Sequence, residues 1–454
     1  MTNSIINSET LLNHNTINAQ NVHEVLRQKM FIDGFDLVLD LENSRGLALI
    51  DEKTGDKYLD FFSFFASSPL GLNHPKVNSI DFKEEIVNAA LNKPSNSDIY
   101  TVEMARFVDT FTKIAVPGYF KHLFFVAGGT LAVENALKTA FDWKVRNNFI
   151  KGYKEEKGFQ VIHFKEAFHG RSGYTLSLTN TDPVKTQYYP KFNWPRIKNP
   201  KIIFPLEENL NKVIQSEKEA IDEIYFSLRE NKDDIAAIII EPIQGEGGDN
   251  FFRKEFFIKL REIADENDIL LIFDEVQTGV GLTGKMWVHE YYVKPDIVAF
   301  GKKVQVCGIM VTNRIDNVEE NVFQKSSRIN STWGGNLVDM VRSKKYFEII
   351  EEENLIDNAL NMGKYLLDNI YDIQREFPHL VTQARGLGLF CSFDLPSPEL
   401  RKSFLNVLYK NKLIMLGCGK STVRFRPPLI ITKEDIDKGI EIIKNALTIT
   451  HNKL

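Results

Sequence analysis

LLIFDEVQTGVGLTGKMW (Leu270–Trp287) and, a few residues later, PDIVAFGKKVQVCG (Pro295–Gly308) decide how this chain folds. Each opens on an apolar run without polar alternation and stops on charge, Asp274-Glu275 in the first and Lys302-Lys303 in the second. Such runs are the signature of strands buried on both faces. Ligands of open α/β sheets bind at the carboxyl ends of strands, so an acid and a base placed there begin to define a site. Taken alone, Asp274 caps a turn as readily as it serves chemistry. A lysine at the end of a buried strand is costly unless it is used; the alternative is an exposed loop position.

Working outward, similar β-branched runs occur at His122–Val126, Gln160–Phe164, Ile235–Ile240, Ile269–Phe273, Ile297–Phe300 and Gly308–Thr312. Helical patterns separate several of them, among them Thr130–Arg146 and Arg253–Glu266, which predicts a mostly parallel sheet covered by helices. From about Asn336 the pattern changes to a long helix (LVDMVRSKKYFEIIEEE), strand-like LGLFCSF and TVRFRP, and a helix opened by Thr432 with Asp435 as capping partner. That reads as a smaller α+β unit.

The chain's 454 residues, 43% hydrophobic and 26% charged, are enough for a large core and rule out a disordered or fibrous protein. Sixty-one acids against 56 bases leave a net charge of −5, so neither nucleic acid nor a membrane surface is an expected partner. Cys307, Cys391 and Cys418 form no CxxC pair, and the polar start MTNSIINSETLLNHNTINAQ lacks a secretory pattern; a reduced, cytoplasmic location is expected. The first 20 residues or so carry no assignable role.

Three tempting motifs fail. GCGKS (Gly417–Ser421) has Ile414 where a phosphate loop needs its first glycine, GLGLFC (Gly386–Cys391) lacks the third glycine of a dinucleotide fingerprint, and no HExxH is present. Nucleotide and metal chemistry have no support, and no metal site is expected.

The spacing of Asp274-Glu275, then Asp296, Ile297, Gly301 and Lys302, resembles the signature of the class III pyridoxal-phosphate (PLP) aminotransferases, and the likeness runs from about residue 55 to the C-terminus. The resemblance implies an α/β, fold type I PLP-dependent transferase. Its large domain, residues 76–335, carries a mostly parallel sheet of the seven-stranded type. A smaller α+β domain is formed by residues 336–454 with part of the N-terminal segment 1–75. It also chooses Lys302 over Lys303 as the catalytic lysine that holds the cofactor, with Asp274 beside the ring nitrogen. That chemistry needs a lysine, a carboxylate that keeps the pyridine protonated, and donors for a phosphate.

The resemblance assigns further residues. Gly129 and Thr130, in strand–Gly-Gly–helix order, would hold the phosphate at a helix start; without the resemblance Gly128-Gly129 reads as a tight turn. Thr130 departs from the family's smaller Ala, and its hydroxyl could add a phosphate contact. Phe168 would stack on the pyridine ring beside His169, with Glu241 and Gln277 completing the cofactor site. Ser331 and Thr332 (STWGGN) would reach the phosphate of a neighbouring subunit, which implies a homodimer with shared active sites; an ST-turn is the plain alternative.

For substrates, the resemblance pairs Glu246 (EPIQGEGGD) with Arg424 (VRFRPP) and sets Arg171 to clamp a far carboxylate bidentately. A donor amine on a terminal carbon brings no carboxylate to the reacting centre, so a bare Arg424 would be an uncompensated charge there. Glu246 would neutralise it and swing aside for 2-oxoglutarate. The FHGRSGYT and FGKKVQVCG segments are most similar to the branch that takes L-lysine as donor. Ornithine or 4-aminobutyrate as donor, and a mutase or decarboxylase on the same fold, are the alternatives.

Overall fold

The computed structural model describes residues 17–451, so residues 1–16 of the polar N-terminal stretch lie outside it. Strands β1 (Ala48–Ile50) and β2 (Lys57–Asp60) pair antiparallel. The chain then builds a seven-stranded sheet from β3 (Phe120–Val126), β4 (Gln160–Phe164), β5 (Arg196–Ile197), β6 (Ile235–Ile240), β7 (Leu270–Asp274), β8 (Ile297–Phe300) and β9 (Cys307–Thr312). The spatial order is β3-β9-β8-β7-β6-β4-β5.

From β8 through β7, β6 and β4 to β5 the sheet is parallel. Only β9 is reversed, antiparallel to both β8 and β3. Because β3 is thereby reversed twice, it points the same way as β8, and the carboxyl ends of β3, β4, β6, β7 and β8 share one edge.

The reason these runs lack alternation is visible in their packing. Ile238, Ile240, Leu271, Phe273, Val298 and Phe300 enter one buried cluster, while Ile239, Leu270, Ile272, Ile297 and Ala299 enter another on the opposite face. Helix Gly129–Ile150 covers the second face with Ala132, Val133, Ala136, Leu137 and Ala140. Helix Lys254–Glu266 covers the first with Phe256, Phe257, Leu260 and Ile263. Each such large apolar side chain contributes about 1.5–3 kcal/mol on burial.

The C-terminal part forms a four-stranded antiparallel sheet from β10 (Thr382–Leu387), β11 (Phe390–Asp394), β13 (Leu416–Cys418) and β14 (Thr422–Phe425), in the order β10-β11-β14-β13. The short β12 (Leu413–Ile414) instead runs parallel beside β2, joining segments about 350 residues apart. LGLFCSF, expected as one strand, is a hairpin: Gly388 sits at φ +55 between β10 and β11, a conformation that costs glycine little. GCGKS is the turn from β13 to β14. Thr432 and Asp435 cap the Lys433–His451 helix reciprocally, each backbone N–H donating to the other side chain at 3.2 Å. Among the described residues no helix is long and apolar enough to cross a membrane.

Asp296, one residue before β8, ties the sheet together. Its buried Oδ2 accepts from Leu271 N (2.8 Å), Arg261 Nη1 (2.9 Å) and Arg314 Nη1 (3.1 Å). Asp296→Ala strands a buried amide and loosens two guanidinium groups, so it should cost about 2–3 kcal/mol. Urea unfolding should show a lower midpoint at unchanged slope.

Candidate functional site

The shared strand edge opens into a cavity of about 450 Å³, lined by Phe65, Gly129, Thr130, Phe168, His169, Arg171, Lys185, Glu241, Glu246, Asp274, Val276, Gln277, Lys302 and Cys307 among others. Most of its residues come from the ends of β3, β4, β6, β7 and β8 and the start of β9, joined by Phe65 and Lys185 from elsewhere in the chain. The volume suits a small cofactor with part of a substrate.

Two neighbouring acids at the end of β7 diverge. Asp274 is 6% exposed and faces the cavity, where its carboxylate accepts from His169 Nδ1 (2.8 Å) and from Val276 N (3.1 Å). Glu275 turns away and is consumed structurally by the Val288 and His289 amides and His289 Nδ1, at 2.7–2.9 Å. Beside Asp274, Glu241 accepts from Phe168 N (2.8 Å) and Gly245 N (3.1 Å). Burial, reinforced by the Asp274 charge, pushes its carboxyl well above the usual range and toward the neutral form.

The two lysines after β8 also part ways. Lys302 reaches the cavity and donates to Phe65 O (3.0 Å), from a backbone at φ +50 that is strained for a side-chain-bearing residue. Lys303 is buried and spent on Gln277 O (2.7 Å) and Ala66 O (3.3 Å). Burial, then the charges of Arg424 and Arg426, lower the Lys302 ammonium to about 8. The free amine is therefore the dominant form above that pH.

The carbonyls that receive these lysines belong to Ser63–Ala66, four consecutive residues at positive φ, whose start is fixed by Asp60 Oδ1 accepting from Phe62 N and Ser63 N. Ser63 Oγ donates to Arg426 O (2.6 Å), linking this turn to the C-terminal sheet.

Glu246 bridges two cations: Oε2 lies 3.1 Å from Arg424 Nη1 and Oε1 lies 2.6 Å from Lys185 Nζ. Burial opposes its ionisation, but Arg424 and then Lys185 overcome this and hold the carboxyl below its ordinary range. Arg424 is 3% exposed, and its Nε has no hydrogen-bond partner. Arg426 is locked elsewhere, against Asp249 (2.5 Å), Gln277 Oε1 (3.1 Å) and the Phe390 ring. Arg171 is exposed at the cavity wall.

These features suit PLP. Asp274 could supply the carboxylate for a pyridinium and Lys302 the amine, and Phe168 and Val276 offer apolar walls. The Gly129–Ile150 helix begins with no side-chain cap, leaving its first N–H groups for a phosphate. Thr130 stands at this start, packed so close to Gly170 that a Cβ there would overlap it. Ser331 and Thr332 are not brought to this cavity: their carbonyls are held by Ser97 Oγ and Ser95 Oγ, and Thr332 is exposed.

Sequence reasoning missed Phe65, Val276, Lys185 and Cys307. Val276 was within reach, since it lies between Asp274 and Gln277. Phe65 and Lys185 come from distant loops, and nothing local signals their arrival.

A family model described as aminotransferase class-III matches residues 33–447. The chain is 51% identical to the L-lysine-epsilon aminotransferase of Mycobacterium tuberculosis over 94% of this chain and 95% of that protein. It is 47% identical to the enzyme of the same name from Streptomyces clavuligerus, over 95% of each. Among solved structures, a lysine aminotransferase from M. tuberculosis superposes with a TM-score of 0.94 at 51% identity, covering 96% of this chain and 100% of that one.

The divergent lysines give a direct test. With the protein stripped of cofactor, an aldehyde reagent followed by borohydride should label Lys302 and spare Lys303, with half-maximal labelling near pH 8. Labelling on Lys303, or none below pH 10, contradicts the assignment.

Proposed function

We infer that this chain, which belongs to the class-III aminotransferase family, is a PLP-dependent enzyme that transfers the terminal (ε) amino group of L-lysine to 2-oxoglutarate. The products are glutamate and 2-aminoadipate 6-semialdehyde, which cyclises to piperideine-6-carboxylate. When bound, PLP supplies an electron sink for the negative charge left at the substrate carbon. The observation that carries a terminal-amine donor is the Glu246–Arg424 ion pair at 3.1 Å, and lysine as that donor is supported by the 51% identity to an L-lysine-epsilon aminotransferase.

Asp274, held in place by His169, would hold the ring nitrogen and make a positive charge there favourable. Glu241, whose carboxyl is pushed toward its neutral form by burial, adds less negative charge beside Asp274 than a solvated acid would. Phe168 and Val276, which line the cavity, would enclose the ring and exclude water, the Gly129 and Thr130 amides would hold the phosphate, and Gln277 would line the cofactor's side. The Lys302 amine, its basicity lowered by burial, takes a proton from the ε-carbon of lysine and returns one at the next stage.

Arg171 binds the α-carboxylate that lysine presents far from the reacting carbon. While lysine is bound, Glu246 cancels the charge of Arg424. When 2-oxoglutarate enters, its α-carboxylate displaces Glu246 and pairs with Arg424, while Arg171 takes the far carboxylate.

The working unit is a cytoplasmic homodimer in which Thr332 completes the phosphate site of its partner. Support comes from the exposed Thr332, fixed by its carbonyl, and from the exposed apolar Ile99, Tyr100 and Trp333 close by.

Glutamate formation measured with lysine, ornithine and 4-aminobutyrate in parallel should favour lysine. Glu246→Ala should slow the lysine half-reaction and spare or speed that of glutamate, whose α-carboxylate can pair with the uncovered Arg424. A shift of about 1.4 kcal/mol changes their rate ratio tenfold. Single-turnover absorbance of the cofactor reports each half, and an unchanged ratio removes Glu246 from selectivity.

A further inference from the structure

The reading above asks Glu246 to leave Arg424 once per turnover, yet gives it nowhere to go. Its loop is closely packed: a Cβ on Gly245 would overlap the Gln277 amide, and one on Gly247 would overlap Glu166 O, so the side chain is the part with room to turn. A carboxylate turned away from its cation in a mostly buried pocket pays the desolvation cost of an unpaired charge.

Lys185 removes that cost. It sits 2.6 Å from the Glu246 oxygen that does not touch Arg424, so the pair survives loss of the Arg424 contact. Its own placement is fixed by a short turn: Asp182 Oδ1 accepts from Val184 N at 3.0 Å, and Lys185 Nζ is within 3.5 Å of Thr181 Oγ1 and 5.4 Å of the Phe168 ring centre.

We propose that Lys185 is a positioning residue for the second half-reaction: it holds Glu246 when a dicarboxylate claims Arg424, and so sets how easily the acceptor is admitted. This rests on the masking of Arg424 by Glu246 given above. Without Lys185, Arg424 is the sole strong partner of Glu246, and the two bind each other more tightly.

Glutarate, which has both carboxylates of 2-oxoglutarate and no reactive carbonyl, is the probe. Titrated calorimetrically into the holoenzyme, it should bind Lys185→Met and Lys185→Gln about tenfold more weakly than the parent, within the usual range of coupling between contacting groups. The KM for 2-oxoglutarate should rise more than kcat falls, and Lys185→Arg should restore both. In a Glu246→Ala background, where Arg424 is already free, Lys185→Met should leave glutarate affinity unchanged.

Normal glutarate affinity in both neutral variants overturns the role of Lys185, while tighter binding to Glu246→Ala alone keeps the masking reading intact. Weakening by Lys185→Met that persists in the Glu246→Ala background makes Lys185 a direct carboxylate ligand and also overturns the proposal. If Glu246→Ala itself leaves glutarate affinity unchanged, it is the masking of Arg424 that fails.

Discussion

A charge taken out of water must be paired, protonated or neutralised, and the cavity at the sheet edge uses all three solutions within a few residues. Asp274 is paired with His169, burial pushes the Glu241 carboxyl toward its neutral form, and burial lowers the Lys302 ammonium to about 8. Each solution depends on the next. A second ionised carboxylate beside Asp274 would repel it, and a fully charged Lys302 would face Arg424 and Arg426. The parallel strands impose this crowding by ending together, and the chemistry uses the shifts in basicity that result.

Much of the fold was legible because burial on both faces suppresses alternation: Gln160–Phe164, Ile235–Ile240 and Ile297–Phe300 are strands with the boundaries the sequence suggested. LGLFCSF defeated the same reading, since a two-residue turn centred on a glycine leaves the hydrophobic pattern unbroken. The long Leu206–Glu230 helix went unread because its charged outer face masks its narrow apolar stripe. Within the site, residues attached to strand ends could be found by position. Phe65 and Lys185 depend on long-range packing, and Thr332, outside this chain's cavity, depends on the partner we propose.

The specificity we propose rests on an asymmetry between two arginines, Arg424 in β14 and Arg426 just after it. Alternation along β14 and the following residue gives both buried guanidinium groups, yet Arg426 is saturated by Asp249, Gln277 and Phe390, whereas Arg424 keeps an unpartnered Nε and one movable carboxylate. A saturated arginine is architecture. An arginine with spare donors can exchange one carboxylate for another.

The pairing of β2 with β12 and the bond from Ser63 to Arg426 also bear on how the protein is born. At about 5–20 residues per second, a ribosome spends on the order of twenty seconds to a minute between making β2 and making β12. Throughout that interval the edge of β2 has no partner, and the left-handed turn whose carbonyl steadies Lys302 has no anchor at its far side. The turn that receives Lys302 therefore depends on a contact between residues 363 apart in sequence.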